Sequence, residues 1–218
     1  GDTMVAVRGP NGELGQIVVS ARIDSAWSQG GWTARQFLDF PGGVPSGGIA
    51  IEQNVIAVSV GDGGAPSNPQ IAIYERPDEF SPFALASSFR SANGAPPRSI
   101  AIDETGEYLA LGFPGAGEVE IYSGGSSGWA AAVPQTLAPN DSMATGAATF
   151  GHDLDFGAGF LLIGKPGTSS LSAPAAFPGI AEQWRVAPAG FTYSGDLIPG
   201  NSAPGDSAGW AVEIERGL

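Results

Sequence analysis

Hydrophobic positions in this chain fall in short runs, each halted by glycine or proline. The clearest case is residues 149–167 (TFGHDLDFGAGFLLIGKPG). Leu154 and Phe156 alternate with polar neighbours, Gly157-Ala158-Gly159 reads as a tight turn, and residues 160–163 form an apolar arm stopped by Gly164-Lys165-Pro166. Period-two alternation followed by an uninterrupted apolar arm predicts a β-hairpin buried on both faces of its second strand. No window keeps an i, i+3, i+4, i+7 apolar stripe free of Gly or Pro, so no helix longer than about two turns is expected.

Three more apolar arms stand in phase with this one, at residues 4–7 (MVAV), 55–60 (VIAVSV) and 109–111 (LAL). Alternating strands at 49–51, 100–102 and 154–156 precede the later arms. The strand that would precede the first lies at the far end of the chain, at 210–214. A third strand follows each hairpin (16–21, 70–74, 118–122, 180–186), then a fourth segment opening on an aromatic residue: Trp32, Phe83, Trp129 or Phe191. Four strands recurring about every 50 residues predict an all-β fold, a β-propeller of four-stranded blades. The units are 210–218 plus 1–40, then 41–92, 93–142 and 143–209, in one domain. The ring of four is expected to close by pairing 210–214 with 4–7, which hides two strand edges.

With the units aligned, Phe150-Gly151 and Gly164-Lys165-Pro166 stand as the FG and GAP of an FG-GAP repeat. Gly112-Phe113-Pro114 and Arg8-Gly9-Pro10 are further GAP-like turns, and Gly205 to Trp210 (GDSAGW) is a lead-in to a first strand. The chain thus resembles the FG-GAP repeat family, the propeller modules of integrin α-subunit heads. The second unit departs from the pattern at Val60-Gly61-Asp62-Gly63 and around Val44-Pro45-Ser46. That family's calcium loops run about nine residues with alternating Asp or Asn, because Ca²⁺ takes 6–8 oxygen ligands. The turns here, Glu52-Gln53-Asn54, residues 103–107 and residues 157–159, are too short to wrap a cation, so the resemblance implies the fold without the metal sites.

Gly (34) and Pro (18) make up close to a quarter of the 218 residues while 42% are hydrophobic, which suits many short strands joined by turns. A net charge of −13 with only nine Lys and Arg argues against nucleic acid and against anionic membrane surfaces. No apolar run reaches the roughly 20 residues of a bilayer-spanning helix. The absence of Cys removes disulfides and thiol chemistry. A chain beginning at Gly1, with no signal-like segment, reads as a processed form or a fragment, and an extracellular or organellar-lumenal location is expected. Asn140-Asp141-Ser142 matches the N-glycosylation acceptor.

His152, the one imidazole, neighbours Asp153 and Asp155, but alternation puts both carboxylates on the opposite strand face, which favours a structural role. Asp103/Glu104, Asp153/Asp155 and Glu118/Glu120 are the carboxylate pairs that a propeller glycosidase could use, and Asp62-Gly63-Gly64 and residues 103–106 are acidic turns. Each also reads as ordinary turn chemistry or a solvated face. Trp32 and Trp129 recur at one phase of their units, which points to packing between blades; Trp184 joins them as a candidate sugar-stacking platform.

These readings favour a non-catalytic protein-interaction or structural module, with no cofactor and no bound metal, whose partners are other protein subunits. A carbohydrate-binding, lectin-like propeller and a propeller glycoside hydrolase stay open as alternatives. The longest irregular insertion, residues 167–179 (GTSSLSAPAAFPG), carries Leu171 and Phe177 with no charge, stiffened by Pro174 and Pro178. Leu171, Pro174, Phe177 and Pro178 are therefore the expected partner-docking residues.

Overall fold

The computed structural model describes residues 3–8, 16–22, 32–38, 44–62, 65–78, 80–124, 128–129, 132–140, 149–167, 179–187, 189–200 and 208–214. Among them there is no α-helix, and fifteen strands form four antiparallel sheets. The first sheet holds β1 (Thr3–Arg8), β2 (Gln16–Arg22) and β3 (Trp32–Leu38). The second holds β4 (Val44–Glu52), β5 (Val55–Asp62), β6 (Ala65–Glu75) and β7 (Ala84–Phe89). The third holds β8 (Ser99–Ile102), β9 (Tyr108–Phe113), β10 (Glu118–Ser123) and β11 (Gln135–Leu137). The fourth holds β12 (Leu154–Gly157), β13 (Phe160–Lys165), β14 (Ile180–Ala187) and β15 (Gly190–Leu197). Strands pair in sequence order within every sheet.

Register makes the repeat explicit. Ile49 opposes Val58, Ile100 opposes Leu111 and Leu154 opposes Ile163. Residues one step outward, Gly112 and Gly164, are therefore equivalent, and Ser59 takes their place in the second sheet. Residues 157–159 resolve more finely than the sequence suggested: Ala158 (φ 50°) and Gly159 (φ 77°) make the two-residue turn, and Gly157 ends β12. Positive φ at both turn positions is the hairpin geometry that matches strand twist. Gly157 is needed for another reason, since a Cβ there would press on the Ile214 side chain.

Three apolar layers lie between consecutive sheets, and they explain the fully apolar second arms. Ile56 and Val58 pack with Val19 and Leu38 of the first sheet, while Ala57, on the opposite face of β5, packs with Ile100, Leu109 and Leu111. In β9 the same alternation sends Leu109 and Leu111 back to the second sheet and Ala110 forward to Leu161 and Ile163. β5 and β9 are thus apolar on both faces, with their large residues toward the preceding sheet and a small one toward the next.

Polar devices recur at the same boundaries. The Gln36 side-chain amide exchanges two hydrogen bonds with the backbone of Phe83 (2.6 and 2.8 Å), and Gln135 does the same with Phe191 (3.3 and 3.1 Å). The aromatics that open the fourth segments, Phe83, Trp129 and Phe191, are buried between sheets, and Trp129 Nε1 donates to Glu75. Glu120 and Glu182, equivalent by register, each accept backbone amides from the segment that leads into their own sheet: Ala92 and Asn93 for Glu120, Asn140 for Glu182. Each is also bonded by the aromatic two residues on, Tyr122 or Trp184.

Some boundaries differ from the sequence reading. β5 runs on through Gly61 to Asp62, and β4 begins at Val44, with the register breaking between Pro45 and Ile49 and between Val60 and Asp62. A break absorbs the proline and glycine that would otherwise end the strand. In the third unit, among the described residues of the expected 129–137, only Gln135–Leu137 is strand.

Residues 210–214, expected as a strand paired with residues 4–7, are not a strand, and among the described residues no ladder joins them to β1. Their amides are taken instead by side chains of β12: Val212 N donates to Asp153 Oδ2 (2.8 Å) and Ile214 N to Asp155 Oδ2 (2.6 Å). Among the described residues no helix is long and apolar enough to cross a membrane.

Candidate functional site

The leading ends of β4, β8 and β12, the first strands of their sheets, come together at one end of the sheet stack. Arg98 and His152 hold equivalent places just before β8 and β12, because Arg98 N donates to Gly112 O (2.9 Å) as His152 N donates to Gly164 O (3.2 Å). Trp210 holds the third. Residues 209–214 (GWAVEI) match 151–156 (GHDLDF) position by position, and Gly209 abuts Gly164 as Gly151 abuts Gly112.

Arg98, His152 and Trp210 line one cavity of about 740 Å³, with Gly47 and Gly48 of the second sheet on its wall. The His152 and Trp210 rings lie 4.2 Å apart at 46°, and the Arg98 guanidinium carbon is 5.8 Å from the indole centroid. Trp210 remains 56% exposed. His152 Nδ1 sits 3.1 Å from the Trp210 carbonyl oxygen, which can only accept, so Nδ1 carries the proton and Nε2 is left as an acceptor when the ring is neutral. Partial burial and the Arg98 charge hold His152 below its usual pKa, favouring that neutral ring. Arg98 has no carboxylate partner among the described residues, in a chain with 22 acidic side chains.

Most of the other residues singled out in the sequence go to structural work. The Asp103 carboxylate accepts the amides of Thr105 and Tyr108 and the Thr105 hydroxyl, closing its own turn. Glu118 accepts from Asn93 and Glu120 from Ala92 and Asn93, fixing the approach to the third sheet. Asp153 and Asp155 hold residues 212 and 214. Among the described residues no group of three or more His, Asp or Glu is placed to share a metal ion.

Of the tryptophans named from sequence, Trp129 is buried, and Trp184 is half-buried, edge-on to Tyr193 and bonded to Glu182. The Trp32 side chain, Asp141 and Ser142, and the docking residues Leu171, Pro174, Phe177 and Pro178 lie outside the described residues. Sequence reasoning passed over Arg98 and Trp210 as site residues and read His152 alone. The signal that could have found them was present: the three share one phase of the repeat, one position after the Gly151/Gly209 place.

A second hollow, of about 350 Å³, lies near the opposite ends of β8 and β12, between residues 103–108 and the 157–160 turn. No protein-family model matches the chain, and no curated protein matches it.

Proposed function

We propose that this chain is a four-bladed β-propeller of the FG-GAP type acting as a non-catalytic recognition module in a secreted or lumenal assembly, and that it binds through the mouth framed by Arg98, His152 and Trp210. The observation that carries this reading is their convergence: three chemically different side chains, from equivalent places in successive repeats, meet at one concave surface. In the ring, residues 208–214 take the inner position of the first blade beside β12, fastened by Asp153 and Asp155 rather than by a strand ladder.

The non-catalytic part draws support from the acids. Each carboxylate pair nearest a glycosidase pattern has at least one member engaged with backbone amides, Asp103, Glu120 and Asp153 among them, so using the pair on a substrate would unfasten the loop that member holds. The primary partner class is another protein subunit. A carbohydrate ligand is the second reading, favoured by the exposed Trp210 indole at the cavity. The test is native purification of wild type and of an Arg98→Ala/Trp210→Ala double variant with unchanged melting. The variant should lose the bound partner or glycan that wild type retains, and a variant that retains it overturns the reading.

A further inference from the structure

We infer that the mouth takes a singly charged acidic saccharide, a pyranose ring bearing one carboxylate, with the carboxylate on Arg98 and the ring on Trp210. This rests on the carbohydrate reading above and specifies its ligand.

The chemistry of the lining makes the selection. Arg98 is exposed, lines the cavity, and has no carboxylate partner among the described residues. A planar guanidinium in that condition suits a planar carboxylate, which it can grip with two parallel hydrogen bonds. Its carbon is 5.8 Å from the Trp210 centroid, so one ligand unit about the size of a sugar ring can touch both groups. The indole is 56% exposed, and the apolar C–H face of a pyranose matches an aromatic surface of that kind.

Acceptors complete the match. With Nδ1–H committed to the Trp210 carbonyl, His152 keeps Nε2 as an acceptor, and Asp153 uses Oδ2 for the Val212 amide. Both residues line the cavity, and hydroxyl-rich ligands supply the donors such groups need. The volume, about 740 Å³, lies within the span usual for small-ligand sites.

Overall charge limits the ligand further. At −13 the chain repels polyanions, so an acidic peptide or a uniformly charged polyuronate would meet opposition along its length. A saccharide with one acidic residue among neutral ones presents its charge only at Arg98. That argument separates the saccharide from a peptide segment carrying several acidic residues.

The test follows the Trp210 indole N–H resonance by NMR during titration with a disaccharide ending in glucuronic acid, with its carboxyl-reduced neutral counterpart, and with a glutamate-rich peptide. The acidic disaccharide should move the resonance saturably. The neutral one should bind at least about 10-fold more weakly, the size of one charge-assisted interaction. Arg98→Gln should abolish that preference without changing the melting temperature, and Arg98→Lys should retain part of it. Equal binding of both disaccharides, indifferent to Arg98→Gln, would overturn the acidic assignment and leave the carbohydrate reading standing. Response to the peptide alone would overturn the saccharide and favour a protein partner. No response to any of the three would overturn the inference and the carbohydrate reading together.

Discussion

Gly112 in β9 and Gly151 ahead of β12 meet backbone to backbone, so closely that a methyl group on Gly112 would overlap the Gly151 carbonyl oxygen. That carbonyl also accepts the buried Ser99 hydroxyl at 2.8 Å, which fixes the distance between the third and fourth sheets. The same fit recurs between Gly164 and Gly209.

Gly112→Ala should therefore destabilise the protein by about 1–3 kcal/mol, the usual cost of forcing volume into a packed contact whose neighbour is backbone. Gly115, with open space around it, is the control, and Gly115→Ala should stay within about 0.5 kcal/mol of wild type. Urea denaturation midpoints of the two variants decide the matter.

The clamps formed by Gln36 and Gln135 predict a different loss. Truncating Gln135 to Ala leaves the Phe191 amide and carbonyl without their partner at a sheet boundary, at about 1–3 kcal/mol. Gln36→Ala should cost a similar amount through Phe83, and the double variant should show the sum within about 0.5 kcal/mol, because the clamps share no partner. Thermal unfolding of the two single variants and the double variant measures this.

These two relationships show what the sequence made legible. The meander of hairpins could be read because alternation, apolar arms and Gly–Pro stops are local signals, and β1, β2, β3, β8, β9 and β10 stand where those signals put them. The clamps join residues 47 and 56 positions apart, and no local pattern marks a glutamine as the partner of a distant backbone. At the mouth, Trp210 was assigned to a strand because its neighbours alternate. That alternation is real, but Asp153 and Asp155 supply side-chain acceptors to amides that a ladder would otherwise use.

Lys165 and Glu182 form an ion pair at 3.6 Å, with their side chains 1% and 0% exposed. Glu182→Gln removes the titratable carboxyl and keeps a side-chain oxygen that can accept the Asn140 amide. Burial pushes the Glu182 carboxyl up, against the Asn140 amide and Lys165, which draw it down. A raised folded value means the folded state holds a proton that the unfolded chain releases. Wild type should therefore gain stability from this group as pH falls through the interval between the raised value and the ordinary 4.5. Denaturation across that interval should show the slope in wild type and its loss in Glu182→Gln.

His152 titrates in the other sense. Its folded pKa lies below the ordinary 6.5, so the unfolded chain takes up the proton first, and the contribution present above 6.5 is lost as pH falls through the folded value. His152→Gln should flatten the stability profile in that window. Proton NMR of the single imidazole gives the folded pKa directly, and a value at or above 6.5 would contradict the assignment.

The alternation of large and small residues on β5 and β9 has a consequence for how disturbance travels. Among the described residues each apolar layer is shared by two sheets only, so Ala57 answers to the third sheet and Ala110 to the fourth, with no common centre joining all four. Cooperativity in such an array is a nearest-neighbour property, as in a one-dimensional chain of coupled units. Damage at one boundary weakens the two sheets that flank it and reaches the others only by way of them. Amide exchange should accordingly fall into graded classes ordered by distance from the weakened boundary, rather than into one global rate.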